Sequence, residues 1–227
     1  MTRKSPVAAI MLSVVVCAAV MSYTDAVIQP GYAVKSAFKA VLFLMVPLRW
    51  FFRNPQGIPM LKKLLIPEKR SFLTALVLGV GVYGLILGGY YGISLLLDLT
   101  EMILNMTAQG GVSPANFLWV SLYISFVNSF LEEFLFRGYA FLVLKEKIGR
   151  FRAYSFSAAM FALYHFGMFA GAVNVPIWIA ALSGLFVAGV VLNWLNERSG
   201  NIYTSWIVHM FANFSINTVG FLVFGMI

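Results

Sequence analysis

Two adjacent glutamates, an arginine and two histidines occupy apolar surroundings where ionisable side chains are costly. Glu132 and Glu133 stand in Asn128-Ser-Phe-Leu-Glu132-Glu133-Phe-Leu-Phe-Arg137, His165 ends Phe161-Ala-Leu-Tyr-His165, and His209 opens His209-Met-Phe-Ala-Asn213. On insertion scales an ionised group at the centre of a spanning helix costs about 2.5–3.5 kcal/mol, so such groups persist when paired or lining a wet cavity. At about 100° per residue, Arg137 falls about 40° from Glu133 but about 140° from Glu132. Glu133 and Arg137 can therefore pair along one helix face. Glu132 points elsewhere, without that partner. Burial then penalises its ionised form, and a carboxyl group held in this way suits a general base near neutral pH. His209 and Asn213, also about 40° apart, can address one point. Blander readings exist for each residue. Glu133 with Arg137 could be a buried ion pair and nothing more, a lone histidine usually bonds a neighbouring helix, and Asn213 could be helix–helix glue.

The elements that must position these groups are membrane spans. Apolar residues make up 61% of 227 and charged residues 11%, with a mean hydropathy of +0.87. A soluble domain carries about 25% charged residues. A span needs roughly 20 mostly apolar residues. The chain is expected to be all-α, a polytopic transmembrane helical bundle of about seven or eight spans and a single membrane domain over 1–227. Seven apolar stretches can be marked, at 7–28, 33–52, 72–97, 115–144, 153–170, 177–195 and 202–225. Pro30-Gly31, Asn54-Pro55, Pro67, Ser113-Pro114, Pro176 and Ser199-Gly200-Asn201 separate them, where breakers belong. Gly79, Gly81, Gly84, Gly88 and Gly89 lie along the third stretch, a spacing that lets helices approach closely in lipid.

Depth brings the polar groups together. Glu132 lies thirteen residues before Lys145, His165 thirteen after Arg152, and His209 eleven after Arg198. All three therefore sit roughly 16–20 Å from the cytoplasmic helix ends, at about 1.5 Å per residue.

The net charge of +8 would point to nucleic acid in a soluble protein, but no basic residues interleave with exposed aromatics in the expected way. The basic residues instead follow the positive-inside rule. With the N-terminus cytoplasmic, Arg3, Lys4, Arg49, Arg53, Lys62, Lys63, Lys69, Arg70, Lys145, Lys147, Arg150, Arg152 and Arg198 face the cytoplasm, thirteen of sixteen Lys and Arg. Lys35 and Lys39 are left on the opposite side, and Arg137 lies within the fourth span. The single cysteine, Cys17, has no disulfide partner and sits in an apolar run, which favours packing. Arg3 and Lys4 before an apolar run resemble a signal peptide, but no small-residue cleavage site follows, so the segment reads as a retained first helix.

Taken together, the motifs resemble those of the CPBP family of intramembrane proteases. That family groups CAAX prenyl endopeptidases of the Ras-converting-enzyme type with bacterial bacteriocin-processing and immunity (Abi) proteins. Glu132-Glu133-Phe-Leu-Phe-Arg137 resembles its EExxxR motif, Phe161 to His165 its FxxxH motif, and His209 to Asn213 its HxxxN motif, in the family order. Asn196-Glu-Arg-Ser-Gly-Asn-Ile202 resembles the loop before the last motif. The resemblance covers about 115–217, the protease core, and leaves 1–114 as additional transmembrane helices. It implies a glutamic-type endopeptidase in which Glu132, helped by His165, activates water, while His209 and Asn213 stabilise the oxyanion. Glu133 and Arg137 would hold the site in shape or contact substrate. No cofactor is implied.

The nearest rival is an intramembrane zinc metalloprotease, with Glu132, His165 and His209 as ligands and an open position for water. No HExxH occurs. A non-enzymatic immunity or transport protein could use the same buried groups, although a transporter would usually show paired repeats with broken helices. The expected partners are the lipid bilayer and a membrane-associated protein or peptide: a CAAX-type tail, a leader peptide or a C-terminal sorting tail. The expected location is the cytoplasmic membrane of a bacterium.

Overall fold

Long apolar runs without charged interruption become long helices, and the breakers fall between them. The computed structural model describes residues 6–169 and 171–227; Arg3 and Lys4, counted above as cytoplasmic, lie outside the described residues. Among those described, nine helices follow one another. They are α1 (6–28), α2 (Tyr32–Arg53), α3 (Gly57–Leu64), α4 (Lys69–Ser94), α5 (Thr100–Gln109), α6 (117–148), α7 (Arg150–Tyr164), α8 (Val175–Ser199) and α9 (Tyr203–Val223). A helical turn at Phe166–Phe169 continues α7 beyond His165. The all-α expectation is met: no strand occurs among the described residues. The short helices α3 and α5 fall where loops were expected.

Local chemistry sets the ends. Asn174 caps α8 by accepting from the Ile177 N–H at 3.1 Å, with Pro176 in the first turn. Gly200 ends α8 in the left-handed region (φ 69°), and Gly149 (φ 85°) turns the chain between α6 and α7.

Among the described residues, four helices are long and apolar enough to cross a membrane: Val7–Ile28, Ser71–Ser94, Val175–Ser199 and Tyr203–Val223. Against seven or eight expected spans, four therefore qualify by length and composition. The shortfall has a physical reason. Every 18-residue window of α2 contains three Lys or Arg residues, α7 has 15 residues, and α6 carries Glu132, Glu133 and Arg137. Three of the helices that hold the polar site, α2, α6 and α7, are ones a hydropathy criterion rejects, while α9, which carries His209, passes it. Large apolar side chains point outward on the others, as with Leu85 and Val77 on α4 and Val187 on α8, which is the surface an integral membrane protein presents to lipid.

The main core gathers α1, α2, α6 and α7 around Ile10, Val14, Phe43, Phe51, Phe136 and Phe141. Cys17 is buried within it, a packing residue as its apolar run implied. On the other side α4 lies along α9 and α8 along α7. Here one sequence expectation needs correction. Gly79 does admit a close neighbour, since a Cβ there would fall 2.5 Å from Phe211 Cδ2, but Gly81, Gly84, Gly88 and Gly89 face open space. Only the first glycine of the stripe is a packing position, because α4 meets α9 along one edge while the rest of the stripe faces away from neighbouring helices.

Candidate active site

α6 departs from regular α geometry where the site is built. Tyr123–Asn128 and Glu133–Val143 are π-helical, on either side of one α turn at Ser129–Glu132. The π turn closes i→i+5 bonds, which widens the helix, and such turns often occur at functional sites. Side chains of α9 meet the carbonyls of this stretch. Asn213 Nδ2 donates to Ile124 O at 3.1 Å and Trp206 Nε1 to Phe126 O at 3.2 Å. Asn217 Nδ2 adds bonds to Ser121 O and Ser125 Oγ. In lipid each backbone carbonyl needs such a partner.

Glu133 and Arg137 pair as their spacing predicts, with Nη1 and Oε1 3.3 Å apart and both side chains fully buried. The guanidinium also lies over the Phe161 ring, its carbon 3.9 Å from the centroid, an arrangement that favours a planar cation on an aromatic face. Glu133 has more partners than Arg137: Oε1 is 2.9 Å from His209 Nδ1 and Oε2 accepts from Ser205 Oγ. A carboxylate facing Nδ1 assigns the proton to that nitrogen. His209 Nε2 is thereby turned towards Glu132 Oε2, 3.8 Å away.

His165 arrives at the same atom from α7. As the residue capping that helix, its Nδ1 lies 2.8 Å from Phe161 O, and bonding to a carbonyl again assigns the proton to Nδ1. Its Nε2 is 3.9 Å from Glu132 Oε2. Two imidazoles from two helices therefore present the same nitrogen to one carboxylate oxygen. The common depth read from the sequence corresponds to a real meeting of Glu132, His165 and His209.

The expectation that Glu132 lacks a cationic partner is overturned. Lys39 of α2, placed by charge counting on the outer side, is buried and donates from Nζ to Glu132 Oε1 at 2.7 Å. Asn128 Nδ2 at 2.8 Å and the Tyr164 hydroxyl at 3.2 Å donate to the same oxygen. The error has a plain cause: helical angles compare groups on one helix, and Lys39 comes from another, 93 positions away. Ser205, Tyr164 and Asn128 also went unremarked. Tyr164 and Asn128 could have been noticed from position alone, one beside His165 and the other one turn before Glu132. Asn213 is 8% exposed and its amide is engaged by Ile124, the bond between helices that its sequence context already allowed.

The donor set fits a zinc ion poorly as it stands. Tetrahedral ligands near 2.0–2.1 Å place neighbouring donor atoms about 3.3 Å apart, whereas the two Nε2 atoms lie 3.8 and 3.9 Å from Oε2. Among the described residues no group of three His, Cys, Asp or Glu side chains is arranged to hold a metal.

Residues 114–215, spanning α6 to most of α9, match the model of the Rce1-like family, type II CAAX prenyl endopeptidases. This segment belongs to the Rce1-like family. No curated protein and no solved structure matches the chain. The family match contains every motif residue named above and agrees with the family resemblance of the sequence. With the apolar helices it makes the protein an integral membrane protein carrying a protease-family segment. Helices α1 to α5, and Lys39 with them, lie outside the matched residues.

Proposed function

We propose that this protein is an intramembrane endopeptidase in which Glu132 activates water to hydrolyse a peptide bond near the membrane-embedded end of its substrate. The observation that carries the reading is the meeting of His165 Nε2 and His209 Nε2 at Glu132 Oε2, 3.9 and 3.8 Å away. In this reading one water oxygen is held between the three, within hydrogen-bond distance of Oε2 and of the two Nε2 atoms. Oε2 then takes a proton as the water oxygen attacks the carbonyl carbon. The C–N bond breaks after the tetrahedral intermediate forms, and the proton passes from the carboxyl group to the departing amine. His165 orients the water through a nitrogen whose tautomer is fixed by Phe161 O. His209, held by Glu133 through Nδ1, stands on the other side; in this reading it takes a second proton from solvent before the attack and, as the imidazolium, donates from Nε2 to the oxyanion. Asn213, one turn along α9, is the second oxyanion donor in this reading and uses the amide hydrogen that Ile124 does not engage. The nucleophile is water, so no serine or cysteine is required. The substrate is a membrane-anchored peptide of the CAAX type, and the family match supports that choice over a leader peptide or sorting tail. The location proposed is the cytoplasmic membrane of a bacterium.

The test uses purified protein in proteoliposomes with a prenylated CAAX-type peptide. Glu132→Gln and Glu132→Ala are expected to lose turnover by about 10²-fold or more, the scale of a general base, while helix content by circular dichroism stays unchanged. Turnover by Glu132→Gln equal to the parent removes Glu132 from the role of base. In the same assay, demetallated enzyme is expected to keep its rate. Zinc bound one to one, with activity restored only by its return, would move the reading to a metalloprotease.

A further inference from the structure

Lys39 is 5% exposed on α2, a helix with no Asp or Glu of its own from Tyr32 to Arg53. Lys35, one turn earlier, is taken by Asp25 at 2.9 Å. The charge of Lys39 is met instead by Glu132. Its Nζ donates to Glu132 Oε1, to Asn128 Oδ1 and to the Tyr164 hydroxyl. Those are the three N–H bonds an ammonium can make. The network closes on itself: Asn128 returns a bond from Nδ2 and Tyr164 one from its hydroxyl, both to Oε1.

The result is an asymmetric carboxylate. Oε1 accepts from three donors, while Oε2, on the side of the imidazoles, has no hydrogen bond among the described residues. A pair serving stability alone gains most when both oxygens are satisfied, because an unpaired buried acceptor is costly. Here the donors are all gathered on one oxygen and the other is left facing the two histidines.

We propose that Lys39 is a positioning residue for Glu132: it holds the side chain as a carboxylate, ties Oε1, and so turns Oε2 towards the place where water is activated. The inference rests on the proposed hydrolysis for its purpose and on geometry for its contacts. It also gives the N-terminal helices a role in the site. α2 supplies the cation that the family-matched segment does not, so the active site is completed from outside residues 114–215.

The test has a spectroscopic and a kinetic arm. An infrared difference spectrum between the protein and its Glu132→Gln form isolates the signal of that carboxyl group. With Lys39 present the band is expected to be that of a carboxylate. In the Lys39→Met background it is expected to become the carbonyl band of a protonated acid, and Lys39→Arg is expected to restore the carboxylate. In proteoliposomes, Lys39→Met is expected to lower kcat by about 10²-fold, with KM changed less than about threefold, the signature of a group acting on the chemical step. Lys39→Arg should recover at least about a tenth of the parent rate, since it restores the charge. If Lys39→Met does not fold, Lys39→Gln takes its place, as it bonds Oε1 without a charge. A carboxylate band that persists in folded Met or Gln protein overturns the assignment, as does equal turnover by the Arg and neutral variants. If the parent protein cleaves no prenylated peptide, the hydrolase reading fails, and the infrared arm still decides the role of Lys39.

Discussion

Glu132 and Glu133 are neighbours with different surroundings. Glu132 keeps one oxygen free towards two histidines; Glu133 is used on both oxygens, by Arg137, His209 and Ser205. Two carboxylates in sequence thus divide into one that can react and one that holds its neighbours. That division predicts how Arg137 behaves. With both partners fully buried, Arg137→Ala leaves Glu133 without its cation, and breaking a buried pair costs about 3–5 kcal/mol. The variant is expected to lose thermal stability in detergent together with activity. The double variant Glu133→Leu with Arg137→Met removes both charges and is expected to regain part of that stability. It should not regain turnover, because His209 Nδ1 then has no carboxylate to fix its tautomer. A single Arg137→Ala protein as stable as the parent but inactive would instead make Arg137 a substrate contact.

At the scale of elements, what was legible depended on whether the partners share a helix. The Glu133–Arg137 pair could be read directly, because i and i+4 share a helix face, and it survives even though the π turns rotate each residue through less than the assumed angle. The shared depth of Glu132, His165 and His209 could be read from distances to helix ends. Which helix stands beside Glu132 could not, and this is why Lys39 escaped. The glycines of α4 were over-read for the same reason: small residues permit contact but do not say where a neighbour lies. Gly189 of α8 is a case in which the neighbour is known. A Cβ there would lie 3.0 Å from Ala158 Cα and 3.1 Å from Ala158 Cβ, on the helix that ends in His165. Backbone cannot move aside as a flexible side chain can. Gly189→Leu is therefore expected to lower stability by about 1–3 kcal/mol, the usual cost of overpacking, and to lower turnover by displacing α7. Gly184→Leu, on the same helix but facing open space, is expected to change neither. Equal melting temperatures for the two variants would mean that α7 and α8 do not depend on this contact.

For the whole molecule, the structure sharpens the argument from charge to topology. Thirteen of sixteen Lys and Arg were assigned to one side. The two assigned to the other side are both neutralised, Lys35 by Asp25 and Lys39 by Glu132, so neither acts as a free loop charge. The opposite face therefore offers no unpaired lysine from α2 to oppose the bias, and the positive-inside rule counts loop charges near span ends. Lys62 sits on the exposed side of α3 among the basic residues between α2 and α4, which makes it a reporter for that face. Cys17, the only native thiol, is buried, so a membrane-impermeant maleimide meets a silent background. Lys62→Cys is expected to label in inside-out vesicles and to stay unlabelled in intact spheroplasts. Labelling from the outside would reverse the orientation of every helix and put the basic face on the wrong side of the membrane.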